Sequence, residues 1–134
     1  MHSTKIVTVF ITQNNKYLIL KRSEKVKTMK SLWAGISGII EGNEDPLYRA
    51  KKEIWEETGI PENCLTLIKS APEILIDSPQ YDNHEWVVFP FLFSVQDPTI
   101  TLNWENKEYR WVIPQDIKQF ETVPSLERVL SSLL

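Results

Sequence analysis

The chain has 134 residues, of which 42% are apolar and 25% charged, and a formal net charge of −3. That composition supports one ordinary domain with its own core, and with so mild a negative charge nothing points to a nucleic-acid-coating surface or a polybasic membrane patch. Cys64 is the only cysteine, which excludes an internal disulfide and a cysteine-built zinc site, and no apolar run approaches the ~20 residues of a membrane span.

Met1 to Lys5 lead straight into a short apolar stretch, without the longer apolar core of a signal peptide. The expectation is a cytoplasmic protein with a single domain over residues 1–134. Ile6 to Thr12 reads as a strand, Gln13 to Lys16 as a turn and Tyr17 to Leu20 as a second strand, together a hairpin. Lys21 to Lys30 reads as a basic loop. Leu32 to Ile40 is apolar but carries Gly35, Ser37 and Gly38, the composition of a strand whose backbone another group approaches closely. Asp45-Pro46 supplies an N-cap and a first-turn proline, and Gly59 with Pro61 stops the helix after Thr58. Leu65 to Ile76 reads as strand interrupted at Pro72. Trp86 to Val95 reads as a buried strand with an irregularity at Pro90. Ile100–Leu102 and Tyr109–Ile113 read as short strands, and Pro114–Phe120 as a helical turn. Pro124–Leu134 reads as an amphipathic helix with Leu126, Val129, Leu130 and Leu133 on one face. Strands mixed with two helices imply an α/β sandwich built on a mixed sheet.

The helix over Pro46–Thr58 is the informative segment. Leu47, Ala50, Ile54 and Thr58 share its packing side, while Glu53, Glu56 and Glu57 fall within an arc of about 100° on an adjacent side. Like charges at such spacings destabilise a bare helix by about 0.2–0.5 kcal/mol per pair, which Arg49, four residues before Glu53, relieves in part. Carboxylate oxygens are the donors that Mg²⁺ prefers; a solvated acidic face is the plain alternative. Tyr48 and Trp55 lie on a third side and are expected to pack against a neighbouring element.

The loop before this helix, Gly38-Ile39-Ile40-Glu41-Gly42-Asn43-Glu44, tips the balance. With the helix it resembles the Nudix box: Gly, five residues, Glu, seven residues, then Arg-Glu-aliphatic-x-Glu-Glu-x-Gly-aliphatic. The match is Gly38, Glu44, Lys52, Glu53, Ile54, Glu56, Glu57, Gly59 and Ile60, with Lys52 where the family has Arg. Lys21-Arg22, Trp33 and the stretch from Glu108 to Val112 extend the resemblance along the chain. It implies an α/β/α sandwich with the Nudix loop–helix–loop and a C-terminal helix. It also implies a Mg²⁺-dependent hydrolase, with Mn²⁺ as a substitute, that cleaves a diphosphate linkage in a nucleotide-like substrate. Glu53, Glu56 and Glu57 would hold the metal, with a backbone carbonyl at Gly38 (its own or that of Ser37) as a further ligand and Glu44 in support. The general base would be Glu53 or, from a later loop, Glu105 ahead of Glu108. Lys52 keeps the charge of the family Arg but loses its planar, two-pronged geometry.

On the substrate side, Arg22 and Lys21 are the expected phosphate contacts, Arg22 first because guanidinium grips phosphate bidentately. Trp33, Tyr81, His84 and Trp86 are candidates for stacking on the substrate's base, with core packing the stronger reading for Trp86. The box does not encode substrate choice; a (deoxy)nucleoside triphosphate or a related nucleoside diphosphate derivative is the default. The expected partner is that small molecule, with no membrane or nucleic-acid polymer, and a homodimer is allowed. Two competing readings are a Nudix-fold module that binds a nucleotide without cleaving it, and an isomerase acting on an isoprenoid diphosphate. Lys52 favours the first, and the surface-turn setting of Cys64 disfavours the second.

Overall fold

The computed structural model describes residues 2–77, 84–96 and 98–134. In chain order its strands are β1 (His2–Gln13), β2 (Lys16–Arg22), β3 (Trp33–Ala34), β4 (Ile36–Ile39), β5 (Leu65–Ser70), β6 (Ile74–Asp77), β7 (His84–Val95) and β8 (Asn106–Val112). The helices are α1 (Pro46–Thr58) and α2 (Leu126–Ser131), with short 3₁₀ turns at Glu62–Cys64 and Pro114–Gln119.

β1 and β2 form the expected hairpin. Its turn residues Asn14 and Asn15 both take positive φ, 53° and 62°, the backbone that matches a two-residue turn to the strands' twist and that asparagine tolerates. The ladder between these strands is confined to Thr12↔Tyr17 and Gln13↔Lys16. Beyond it they part: β1 pairs with β4, and β2 pairs with β3 and β8. On its other edge β1 runs parallel to β7, from His2↔His84 to Thr12↔Ser94. β5 and β6 both pair with β7. β5 ends opposite Phe91 and β6 begins opposite Val88, so Pro90, which has no N–H to donate, falls in the gap between them.

Alternation along the strands makes two cores. Val7, Val9, Ile11, Leu18, Leu20 and Phe93 face Ala50 and Ile54 of α1. Phe10, Ile19, Val88 and Leu92 face the opposite layer, where Leu126, Val129, Leu130 and Leu133 are buried together with Ile117. The result is the expected α/β/α sandwich, with a mixed sheet between two helical layers. None of the described helices is long and apolar enough to cross a membrane.

Three expectations need correction. Ile100–Leu102 joins no ladder; instead the Thr101 N–H donates to the Thr58 carbonyl at 2.8 Å, so the segment satisfies an orphan carbonyl at the end of α1. α2 is shorter than Pro124–Leu134, because Ser125 takes a left-handed φ of 65° immediately before it. Tyr48 and Trp55 are each 57% exposed; α1 lies on the outside of the sandwich, and no element among the described residues covers its third side.

Candidate active site

The helix α1 begins and ends as its sequence dictates. Asp45 accepts the Leu47 N–H at 3.0 Å, and Gly59, at φ 73°, donates its N–H to the Trp55 carbonyl at 2.9 Å. Between these caps Ala50 and Ile54 anchor the helix against the sheet, and the same rotation carries Glu53 and Glu57 inward to 6% and 3% exposure. Glu56 stays exposed. Burial of two carboxylates so close together costs free energy unless partners compensate.

Neighbouring side chains supply those partners. Arg49, itself buried, donates from Nη1 to Glu53 Oε2 at 2.9 Å. Its Nε and Nη2 grip Glu44 at 2.9, 2.7 and 2.6 Å. Glu44 Oε1 also accepts the Glu41 N–H at 2.8 Å, which closes the loop that leads into α1. Asn106, buried at the start of β8, donates to Glu57 Oε1 at 3.0 Å. The other oxygen, Glu57 Oε2, is buried without a hydrogen-bond partner.

Gly38 on β4 lies against Glu53. A Cβ at this position would meet the Glu53 Cδ at 2.2 Å and its Cγ and Oε2 at 2.4 Å. Gly35 carries the other close approach, 2.9 Å from such a Cβ to the Val9 carbonyl. The small residues of this segment therefore have the cause expected of them, and at Gly38 the approaching group is a carboxylate.

The electrostatics follow from burial. Burial pushes Glu57 well above the usual carboxylate range, reinforced by the charges of Glu105 and Glu53 and opposed by the bond from Asn106. Burial likewise raises Glu53, while its bond to Arg49 pulls the other way. Glu44 is held below the usual range by its bonds from Arg49 and the Glu41 N–H. Arg49 is raised, first by its bonds to Glu44.

A cavity of about 600 Å³ opens where β1 and β2 part. One end is lined by Glu53, Glu56, Glu105, Arg22, Gly38 and Lys52. The other is apolar, with Ile76, Trp86, Val88, Leu126 and Val129. Glu105 is oriented by Asn103, which donates to its Oε1 at 3.2 Å and accepts its N–H at 3.0 Å. Ser23 joins this loop to the end of β2: its N–H donates to the Glu105 carbonyl at 2.8 Å and its Oγ to the Trp104 carbonyl at 2.7 Å. Arg22 donates to the Thr28 carbonyl from Nε and Nη2, at 3.3 and 3.1 Å. Burial lowers its pKa while the nearby charges of Glu57 and Glu105 oppose that.

The structure thus gathers Arg22, Gly38, Glu53, Glu56, Glu57 and Glu105, with Glu44 tied to the group through Arg49. Lys21 and Trp33 stand apart, in place of the substrate contact expected of them. Trp33 is buried at 6% exposure, edge-on to Phe120 with centroids 5.2 Å apart, because its strand faces the α2 layer. The Lys21 ammonium lies 5.9 Å from the centre of that ring and lines no part of the cavity. Glu108 lies outside the cavity, 3.8 Å from Arg110. Trp86 lines the cavity and packs edge-on to His84, with its Nε1 buried and unpartnered. Tyr81 lies outside the described residues. Asn103, Trp104 and Asn106 were missed from sequence; only the run of polar residues around Glu105 marks them.

The donor set fits a hard divalent cation: carboxylate oxygens, one of them buried and unpartnered, beside a glycine that leaves room for the Glu53 carboxylate. Among the described residues no three acidic side chains are yet drawn around one point; Arg49 and Asn106 hold Glu53 and Glu57 instead.

Comparison with known proteins adds independent findings. The model of a family described as NUDIX domain matches residues 2–133. The chain is similar to the nucleoside triphosphatase NudI of Escherichia fergusonii, 25% identical over 141 residues, covering 98% of this chain and 96% of that protein. It is also similar to a dihydroneopterin triphosphate diphosphatase of Haemophilus influenzae, 28% identical over 122 residues, covering 90% of this chain and 66% of that protein. Its fold is similar to that of a MutT protein from Methanosarcina mazei Go1, with a TM-score of 0.76 at 24% identity, covering 97% of this chain and 91% of that one.

Proposed function

Because the chain belongs to the NUDIX family, whose model spans it almost end to end, we infer that it is a metal-dependent hydrolase of a diphosphate linkage in a nucleoside triphosphate or related nucleoside diphosphate derivative. The observation that carries this reading is that Glu53, Glu56, Glu105 and Arg22 all line one cavity, with the unpartnered carboxylate oxygen of Glu57 buried close by. The cavity is of the size that small organic ligands fill.

Glu53, Glu56 and Glu57 would hold Mg²⁺, or Mn²⁺ in its place, with the Gly38 carbonyl beside them. When bound, the ion supplies charge neutralisation for the diphosphate and a more acidic water. The Arg22 guanidinium, already beside the carboxylates, would bind a phosphate of the substrate. Glu53 is our first choice to take the proton of the attacking water and Glu105 the second. Arg49 and Gly38 fix the orientation of Glu53, and Asn103 that of Glu105. The apolar end of the cavity suits the nucleoside's base, with the Trp86 Nε1–H available as a donor. Water attacks phosphorus, the bridging P–O bond breaks, and the leaving phosphate or pyrophosphate carries away its electron pair. The names of the two curated relatives favour triphosphate substrates. The single cysteine suits the cytoplasm.

The test is product identification across a panel of nucleoside triphosphates, nucleoside diphosphate derivatives and a pterin triphosphate, with Mg²⁺. Monophosphate plus pyrophosphate from one or more triphosphates is the expected result. Tight nucleotide binding with no product from any member would establish a binding module instead.

A further inference from the structure

We propose that Arg49 is the positioning residue of the active site, and that it supplies from one turn earlier the guanidinium that the box pattern places at Lys52. This rests on the hydrolase reading for its kinetic consequence, but the geometry stands without it. Arg49 is the only arginine or lysine on α1 that is buried. All three of its guanidinium nitrogens donate to carboxylates. Nη1 bonds Glu53 Oε2, while Nε and Nη2 together clamp both oxygens of Glu44. Glu41 Oε2 lies 3.9 Å away. One planar group therefore couples the loop before α1 to a carboxylate in the middle of α1. On its other side Glu53 is walled by Gly38, so the slot fixes the carboxylate from two directions.

Lys52 does none of this. It is exposed and makes no hydrogen bond or ion pair among the described residues, reaching Glu44 only through its longer-range charge. It lines the same cavity as Glu53. An ammonium at position 49 would not replace the clamp either. Lysine offers one nitrogen at the end of a flexible stem, where arginine offers a rigid fork that spans two acceptors. The demand of this site is for a guanidinium, and position 49 meets it.

The experiment uses the full chain and three readouts on Arg49→Lys, Lys52→Ala and the double variant Arg49→Lys/Lys52→Arg. The readouts are thermal melting, Mn²⁺ affinity from titration without substrate, and kcat and KM for the best substrate of the panel. Arg49→Lys is expected to keep its charge and fold, to weaken Mn²⁺ binding and kcat by about 10- to 100-fold, and to change KM little. Lys52→Ala is expected to stay within about threefold of wild type in Mn²⁺ affinity and to keep the wild-type melting temperature. Recovery of most of the lost Mn²⁺ affinity in the double variant would show that what matters is a guanidinium on Glu53. Wild-type Mn²⁺ affinity and kcat in Arg49→Lys, at an unchanged melting temperature, would overturn the proposal, as would a Lys52→Ala loss of Mn²⁺ affinity equal to that of Arg49→Lys. If the wild-type chain turns over no substrate, the hydrolase reading fails while the Mn²⁺ titration still decides the role of Arg49.

Discussion

Replacing Gly38 by alanine isolates the slot that holds Glu53. The added methyl would stand 2.2 to 2.4 Å from the Cδ, Cγ and Oε2 of Glu53, so the carboxylate must retreat by about 1 Å to reach ordinary contact at 3.4 Å. Backbone strain is no part of the effect, because Gly38 sits in a strand without a positive φ. The retreat displaces Oε2 and distorts its 2.9 Å bond from Arg49. A displacement of about 1 Å at a reacting group costs about 100-fold in rate, equal to about 2.7 kcal/mol of barrier. The assay is kcat with saturating Mg²⁺, set beside the melting temperature and beside Gly42→Ala. At Gly42 φ is 56° with open space around the would-be Cβ, so that change costs about 1–2 kcal/mol of stability and leaves kcat near wild type. A Gly38→Ala protein that keeps kcat within twofold would refute the claim that the position of Glu53 is held to within an ångström.

Two further outcomes follow from the buried carboxylates. Glu57 and Glu53 are raised above the ordinary carboxyl value of 4.5, so the folded chain binds more protons than the unfolded one between that value and the raised ones. Metal-free stability therefore falls as pH rises above about 4.5 through that window; melting in chelator from pH 5 to 8 should decline, and more shallowly in Glu57→Gln, whereas an identical slope in the variant would contradict the assignment to Glu57. Asn106→Ala removes the donor to Glu57 Oε1 and leaves that buried oxygen unpaired at a cost of about 1–3 kcal/mol; denaturant unfolding without metal measures it, and a change below about 0.5 kcal/mol, half the smallest expected value, would count against the bond.

How legible the molecule was depends on the range of the interaction. The Asp45-Pro46 start, the Gly59 stop and the Asn14-Asn15 turn are local chemistry, and the structure has them where the residues place them. The two-sided core follows from strand alternation, which is also local. Periodicity of α1 separated the faces but misjudged Tyr48 and Trp55, because whether a face is covered depends on what the rest of the chain supplies. Ile100–Leu102 has strand-like composition, yet its hydrogen bond goes to the end of α1, a destination no window of sequence contains. Trp33 illustrates the same point in the site: as an aromatic it was a candidate for stacking on the substrate, while the side of the strand it occupies sends it to the core. Arg49 was legible as a neighbour of Glu53 at a helical spacing of four, and its second grip, on Glu44, only from the fold of the loop. Asn106 reaches Glu57 across 49 residues, through a β2–β8 register that shifts between Lys21 and Arg22.

The most direct test of the account is the initial rate of diphosphate cleavage by the wild-type chain and by Glu53→Gln, each with Mg²⁺ and with excess chelator. With a metal held by Glu53, the rate disappears on chelation, returns when Mg²⁺ is restored, and drops by at least about 100-fold in the variant. A wild-type rate that survives chelation, or a variant that matches wild type under Mg²⁺, would contradict it.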